Sequence, residues 1–159
     1  VQAEWMPRVD LETTKSASAV EGTALVRVGS LPHSFPDGDP VLLQFYLVIT
    51  AKDAQGRVLK EEIKQFGLPY DKILRGPIPD PFIKGGHTRK VPFSLAIPSG
   101  PAAASIEAVL NYALIPTPEP ALKEKYLATL ATDKERESAK KIFDEYTQHR
   151  LLTYRVKSL

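Results

Sequence analysis

The run Val41-Leu42-Leu43-Gln44-Phe45-Tyr46-Leu47-Val48-Ile49-Thr50-Ala51, followed after Lys52 by Asp53-Ala54-Gln55-Gly56, decides the fold class. Nearly every position from 41 to 51 is apolar, with Phe45 and Tyr46 inside the run. It reads as a strand packed on both faces at the centre of a sheet. Asp53 to Gly56 is a hairpin turn in which Gly56 is free to take a positive φ. Residues 57–66 then return as a more polar partner strand.

Upstream lies Leu31-Pro32-His33-Ser34-Phe35-Pro36-Asp37-Gly38-Asp39-Pro40. Three prolines and a glycine in ten residues forbid a helix and set a stiff, turned loop that delivers the chain into the strand. Residues 9–14 and 23–28 alternate apolar and polar, the two-residue period of half-buried strands. The stretch from Gly67 to Gly86 is too rich in proline and glycine for a regular element. Residues 88–97 form a strand whose Pro92 calls for an edge position or a bulge, because proline donates nothing to a ladder. Pro98-Ser99-Gly100-Pro101 turns the chain into the apolar strand 104–115.

The texture then changes. Thr117 and Pro118 read as an N-cap and first helical residue, with Leu122, Tyr126 and Leu130 on one face. Thr132-Asp133-Lys134-Glu135 fits a capping box, and Ala139, Ile142, Phe143 and Tyr146 mark an apolar stripe expected to cover a sheet face, the other reading being a helix presented to a partner. After His149 the period returns to two, with Leu151, Thr153, Arg155 and Lys157 opposite Leu152, Tyr154, Val156 and Ser158. The expectation is a mainly β protein: an immunoglobulin-like antiparallel β-sandwich of about seven strands. It forms one domain over residues 1–159, with a helical pair at 117–148 inserted before the last strand.

Composition narrows the function. Hydrophobic residues at 43% and charged residues at 25% are those of a globular domain. A net charge of +2 is too balanced to suggest nucleic acid or an anionic membrane. The absence of cysteine excludes disulfides, thiolate zinc sites, thiol catalysis and covalent haem attachment by this chain. No apolar stretch has the length of a membrane span. Because the chain opens on Val1 and shows no signal peptide, it is expected to be a processed or partial piece of a longer protein.

Among candidate sites, His33 has two readings. It contacts a partner or ligates a metal or haem iron, or it holds its own loop by bonding carbonyls. Phe35, Pro36, Asp37 and Pro40 give the same loop a contact surface with little entropy to lose. His87, after Gly85-Gly86, reads as a solvated turn histidine, and His149 as a helix-end residue. The three histidines have no metal-motif spacing. Asp37, Asp39, Asp71 and Asp80 are loop carboxylates best explained by turns, and no phosphate loop or nucleophile elbow is present.

Several segments taken in order resemble a known family. They are His33-Ser34-Phe35-Pro36-Asp37-Gly38, then Asp53-Ala54-Gln55-Gly56-Arg57-Val58, then Asp80-Pro81-Phe82-Ile83-Lys84-Gly85-Gly86, and finally Ile106-Glu107-Ala108-Val109-Leu110-Asn111-Tyr112. Together they are similar to the haem-free C-terminal β-sandwich domain of exported multihaem c-type cytochromes, over roughly residues 22–116. Pro32 stands where that family usually has glycine, and His87 where it usually has Glu. The resemblance implies a non-catalytic accessory domain, periplasmic or extracellular, packing on a haem-bearing segment or subunit in electron transfer. It implies no haem bound covalently by this chain, with haem c in the partner. Two other readings are an immunoglobulin-like adhesion or ligand-recognition module, and an enzyme using residues 67–86 as a lid.

Overall fold

The computed structural model describes residues 6–30, 35, 44–66, 83–99, 102–114 and 120–159. Seven strands form two antiparallel sheets. They are β1 (Arg8–Lys15), β2 (Ala19–Arg27), β3 (Gln44–Lys52), β4 (Val58–Phe66), β5 (Thr88–Ala96), β6 (Ser105–Ala113) and β7 (Arg150–Ser158). Helices α1 (Pro120–Ala128) and α2 (Asp133–Tyr146) lie between β6 and β7. One sheet has the order β1-β2-β5 and the other β4-β3-β6-β7. The expected sandwich with its helical pair is therefore what the chain forms. Compared with an immunoglobulin constant domain, the fourth strand leaves the sheet of β1, β2 and β5 and pairs with the third.

The core lies between the sheets. Period-two alternation puts Val9, Leu11, Val20, Ala24, Val26, Val91, Phe93 and Leu95 on the inner face of the smaller sheet. Phe45, Leu47, Ile49 and Ala51 meet them from β3, with Ile106, Ala108 and Leu110 from β6. β3 is central, as its apolar run requires, and even its outward-facing Gln44, Tyr46 and Thr50 are buried. Gln44 resolves the cost of a buried amide by accepting a hydrogen bond from the Gln65 side chain at 2.7 Å. Pro92 stands on β5 at the edge of its sheet, the place its missing N–H demands.

Both edge strands of the larger sheet carry a register shift. In β4 it falls opposite Ala51 and Lys52, making Leu59 the extra residue. In β7 it falls opposite Leu110 and Asn111, making Leu152 the extra one. Each bulged leucine packs against the core, and the alternation changes sides across it. Lys60, Glu62 and Lys64 share the face of Ile49, and Thr153, Arg155 and Lys157 share the face of Leu110. Ile63, Leu151, Tyr154 and Val156 therefore point away from the core. The alternation in residues 151–158 placed Leu152 with Tyr154 and Val156; the bulge separates them.

The Thr132 capping box forms as expected: the Thr132 side chain accepts from the Glu135 N–H, and the Glu135 carboxylate accepts from the Thr132 N–H. Thr117 and Pro118 lie outside the described residues, and α1 as described starts at Pro120. The helical stripes do not cover a sheet face. Leu122, Tyr126, Ile142 and Tyr146 are each between 39% and 53% exposed, and Leu127 is the buried side chain of the pair. The helices instead close on each other, through the Tyr126–Phe143 edge contact and the Lys123–Asp144 ion pair.

Candidate functional site

Three connections meet at the end of the sandwich where β3 begins. The first is the bridge between Phe35 and Ile83, whose N–H groups donate to each other's carbonyls at 2.7 and 2.6 Å. Phe35 is half-buried, and its ring meets Phe45 edge-on at 4.6 Å between centroids. Of the proposed contact residues, Phe35 is itself held against the core. His33, Pro36, Asp37 and Pro40 lie outside the described residues, as do Asp39, Asp71 and Asp80.

The second connection is the turn Lys84-Gly85-Gly86-His87. Gly86 takes φ +76° and its N–H donates to Gly29, while Val28 donates to His87. His87 is exposed, in keeping with a solvated turn residue. The third is the helical pair, which leaves β6 at Ala113 beside Gln44 and re-enters at Arg150 beside Tyr112. There Leu114 donates to the carbonyl of Tyr146, and the His149 ring stacks on Tyr46 at 4.2 Å with 17° between planes. His149 therefore roofs a buried tyrosine instead of finishing a helix, since α2 stops at Tyr146.

At the opposite end, Asp53 closes the hairpin expected from Asp53-Ala54-Gln55-Gly56. Its carboxylate accepts from the N–H groups of Gln55 and Arg57, both at 2.9 Å, and from the Arg57 guanidinium at 2.7 Å. Gly56 takes φ +78° with open space around it, so the turn chemistry alone requires glycine. Burial pushes the Asp53 carboxyl up, but the Arg57 N–H and guanidinium and the Gln55 N–H together hold it below its ordinary value of 3.8. A carboxyl lowered on folding stabilises the fold above its unfolded value and loses that contribution as pH falls through the folded one. Asp53→Asn is therefore expected to melt below the native chain at neutral pH. The gap should close as pH drops below the usual aspartate range, read by thermal denaturation across pH. A gap independent of pH would assign the effect to hydrogen bonding alone.

Among the described residues no three His, Cys, Asp or Glu side chains gather to hold a metal. A small cleft near the same far end is lined by Lys15, Ser16, Ile97, Pro98 and Ser99. Lys15 already donates to the Ala103 carbonyl there, and Ser16 bonds Ala19. No nucleophile-and-base pair arises from these groups.

The outer face of the four-stranded sheet was not singled out by the sequence. The register sets Ile63, Val48, Val109 and Tyr154 in one row across all four strands. Ile63 is 53% exposed and Tyr154 61%, and Leu151 and Val156 flank the row on β7 at 60% and 51%. On the next row Thr50 donates to Glu61, and Lys52 pairs with Glu107. The signal was the alternation of β7, but its sense depends on a bulge that alternation does not reveal.

In fold, the chain is similar to the penta-haem cytochrome c552 of Thermochromatium tepidum, at a TM-score of 0.62 and 23% identity. It folds like a part of that cytochrome. The match covers 98% of this chain and 40% of that one, so the chain spans well under half of the cytochrome's length. At this identity the likeness is one of fold. Two glycosyl hydrolase family 2 structures from Bacteroides cellulosilyticus are similar at 8% and 7% identity, each with a TM-score of 0.39, over 99% and 98% of this chain and 14% of theirs. No protein-family model matches the sequence, and no curated protein is significantly similar to it. No helix among the described residues is long and apolar enough to cross a membrane.

Proposed function

We propose that this chain is a non-catalytic accessory domain of an exported multihaem c-type cytochrome, packing on the haem-bearing part that carries electrons. The observation that carries this reading is the fold match: nearly the whole chain, helical pair included, corresponds to the smaller part of a penta-haem cytochrome. The absence of cysteine agrees with haem c being anchored outside this chain. The domain would then act by shape, holding or shielding a redox-active neighbour in the periplasm or at the cell exterior. The loop carrying His33, Phe35, Pro36, Asp37 and Pro40 is one contact in this reading, braced through Phe35 onto Phe45. His33 is its candidate haem-iron ligand.

The test is to purify the native gene product containing this sequence from its host and record its reduced-minus-oxidised absorption spectrum. A c-type haem spectrum that follows the chain through size exclusion is expected; a haem-free product overturns the reading. In the same preparation, His33→Ala should alter the spectrum of one haem. An unchanged spectrum would remove His33 as a ligand and leave the accessory role standing.

A further inference from the structure

Independently of the accessory reading, we propose that the helical pair is an order–disorder switch built into the fold. α1 and α2 unfold and refold together while both sheets stay intact, and the His149–Tyr46 stack anchors the ordered state. The two parts of the molecule are held by different means. β3 buries all but two of its nine residues, Val48 and Lys52. α2 buries none of its fourteen side chains, and α1 buries Leu127 alone among nine. Helices shorter than about 12–15 residues are marginal in water unless packing holds them. α1 falls below that length and α2 only reaches it. An element with so little buried opens at a far lower free energy than the core beside it.

The contacts that order the pair run mainly within it. The Tyr126 ring meets Phe143 edge-on at 5.7 Å between centroids. Lys123 lies over the same Phe143 ring and pairs with Asp144 at 3.1 Å. The Arg136 guanidinium reaches back from α2 to the Leu130 carbonyl at 2.9 Å, tying down the turn between the helices. All of these survive while the pair stays whole. If either helix melts, the other loses its ring contact and its ion pair. The two helices therefore share one transition.

The base of the pair is where it meets the sandwich. The Leu114 N–H donates to the Tyr146 carbonyl at 3.0 Å, which closes a neck between the end of β6 and the end of α2. Residues 147–149 alone separate α2 from β7. Within them the His149 ring lies on Tyr46 of β3, 4.2 Å away and nearly parallel. Tyr46 is on the outward side of β3 yet buried, whereas Tyr154 on the same side of the sheet is exposed. The stack thus couples the last turn of α2 to the most rigid strand of the molecule.

The experiment is amide hydrogen exchange of the whole 159-residue chain, read by mass spectrometry. Amides of residues 120–146 should exchange about a hundredfold or more faster than those of β3 and β6. Equal protection would mean that the helices open only with the whole molecule, and would overturn the proposal. Thr132→Ala removes the α2 cap, a contact confined to residues 132–135. It should accelerate exchange by about twofold to thirtyfold in both helices and leave β3 and β6 unchanged. Acceleration confined to α2 would show two independent helices and overturn the shared transition. His149→Ala should accelerate both helices by about twofold to tenfold, the worth of one ring contact, and His149→Phe should restore protection. Helices unchanged by His149→Ala overturn the anchor. Should that variant not fold, the native chain and Thr132→Ala still decide whether the pair is a unit of its own.

Discussion

Leu47→Ala is expected to destabilise the chain by about 2–5 kcal/mol, the range for emptying a fully enclosed leucine site. Leu47 is 0% exposed on the central strand β3, with β4 on one side and β6 on the other. Its neighbours belong to ladders that cannot move inward without breaking register, so the cavity stays open. For a chain of this length the loss corresponds to a fall in Tm of about 4–20 °C. Thermal denaturation checks it, and a fall under 2 °C would show that the two sheets collapse freely around the gap.

Gly22→Ala is the second large effect, and its cause is the opposite one. Gly22 lies between Thr13 of β1 and Phe93 of β5 on the inner face. A Cβ there would meet the Glu12 carbonyl oxygen at 2.1 Å and the Phe93 ring at 3.0 Å. The ring can shift, but the carbonyl belongs to the β1 backbone and cannot. Alanine at an unstrained position would gain a few tenths of a kcal/mol from the unfolded state. Here overpacking outweighs that, at about 1–3 kcal/mol. The damage should concentrate where β1 meets β2, so hydrogen exchange should accelerate in β1 before it does in β3 and β6. Uniform protection with an unchanged Tm would refute the clash.

These two positions show what the sequence disclosed and what it withheld. The central strand could be read from the apolar run at 41–51, because a strand buried on both faces leaves no polar alternation to confuse it. The Asp53 hairpin, the edge placement of Pro92 and the Thr132 capping box were equally legible. Each rests on local chemistry: a side chain satisfying its own backbone, or a missing N–H. Gly22 carried no such mark, since its need is set by a carbonyl ten residues away and a ring seventy-one residues away.

The outer sheet face was hidden for a related reason. Alternation in residues 151–158 shows that successive side chains change sides, but not which side meets the core. One inserted residue at Leu152 decides that, and bulges have no reliable signature in a single sequence. The stripe at Ile142 and Tyr146 lies on a one-sided helix, whereas Leu122 and Tyr126 do not give α1 an apolar face. The expectation that they cover a sheet failed because the two helices close on each other. Of the contact residues expected in the stretch 31–40, Phe35 lies against Phe45. His33, Pro36, Asp37 and Pro40 lie outside the described residues.

The bulged border strands have one more effect. A flat, greasy outer strand invites strand-by-strand growth into fibrils, because its free amides template the next molecule. Here each border is kinked at a leucine and studded with cations, Lys60 and Lys64 on one side and Arg155 and Lys157 on the other. The larger sheet can therefore leave apolar side chains in water without polymerising along its own two margins.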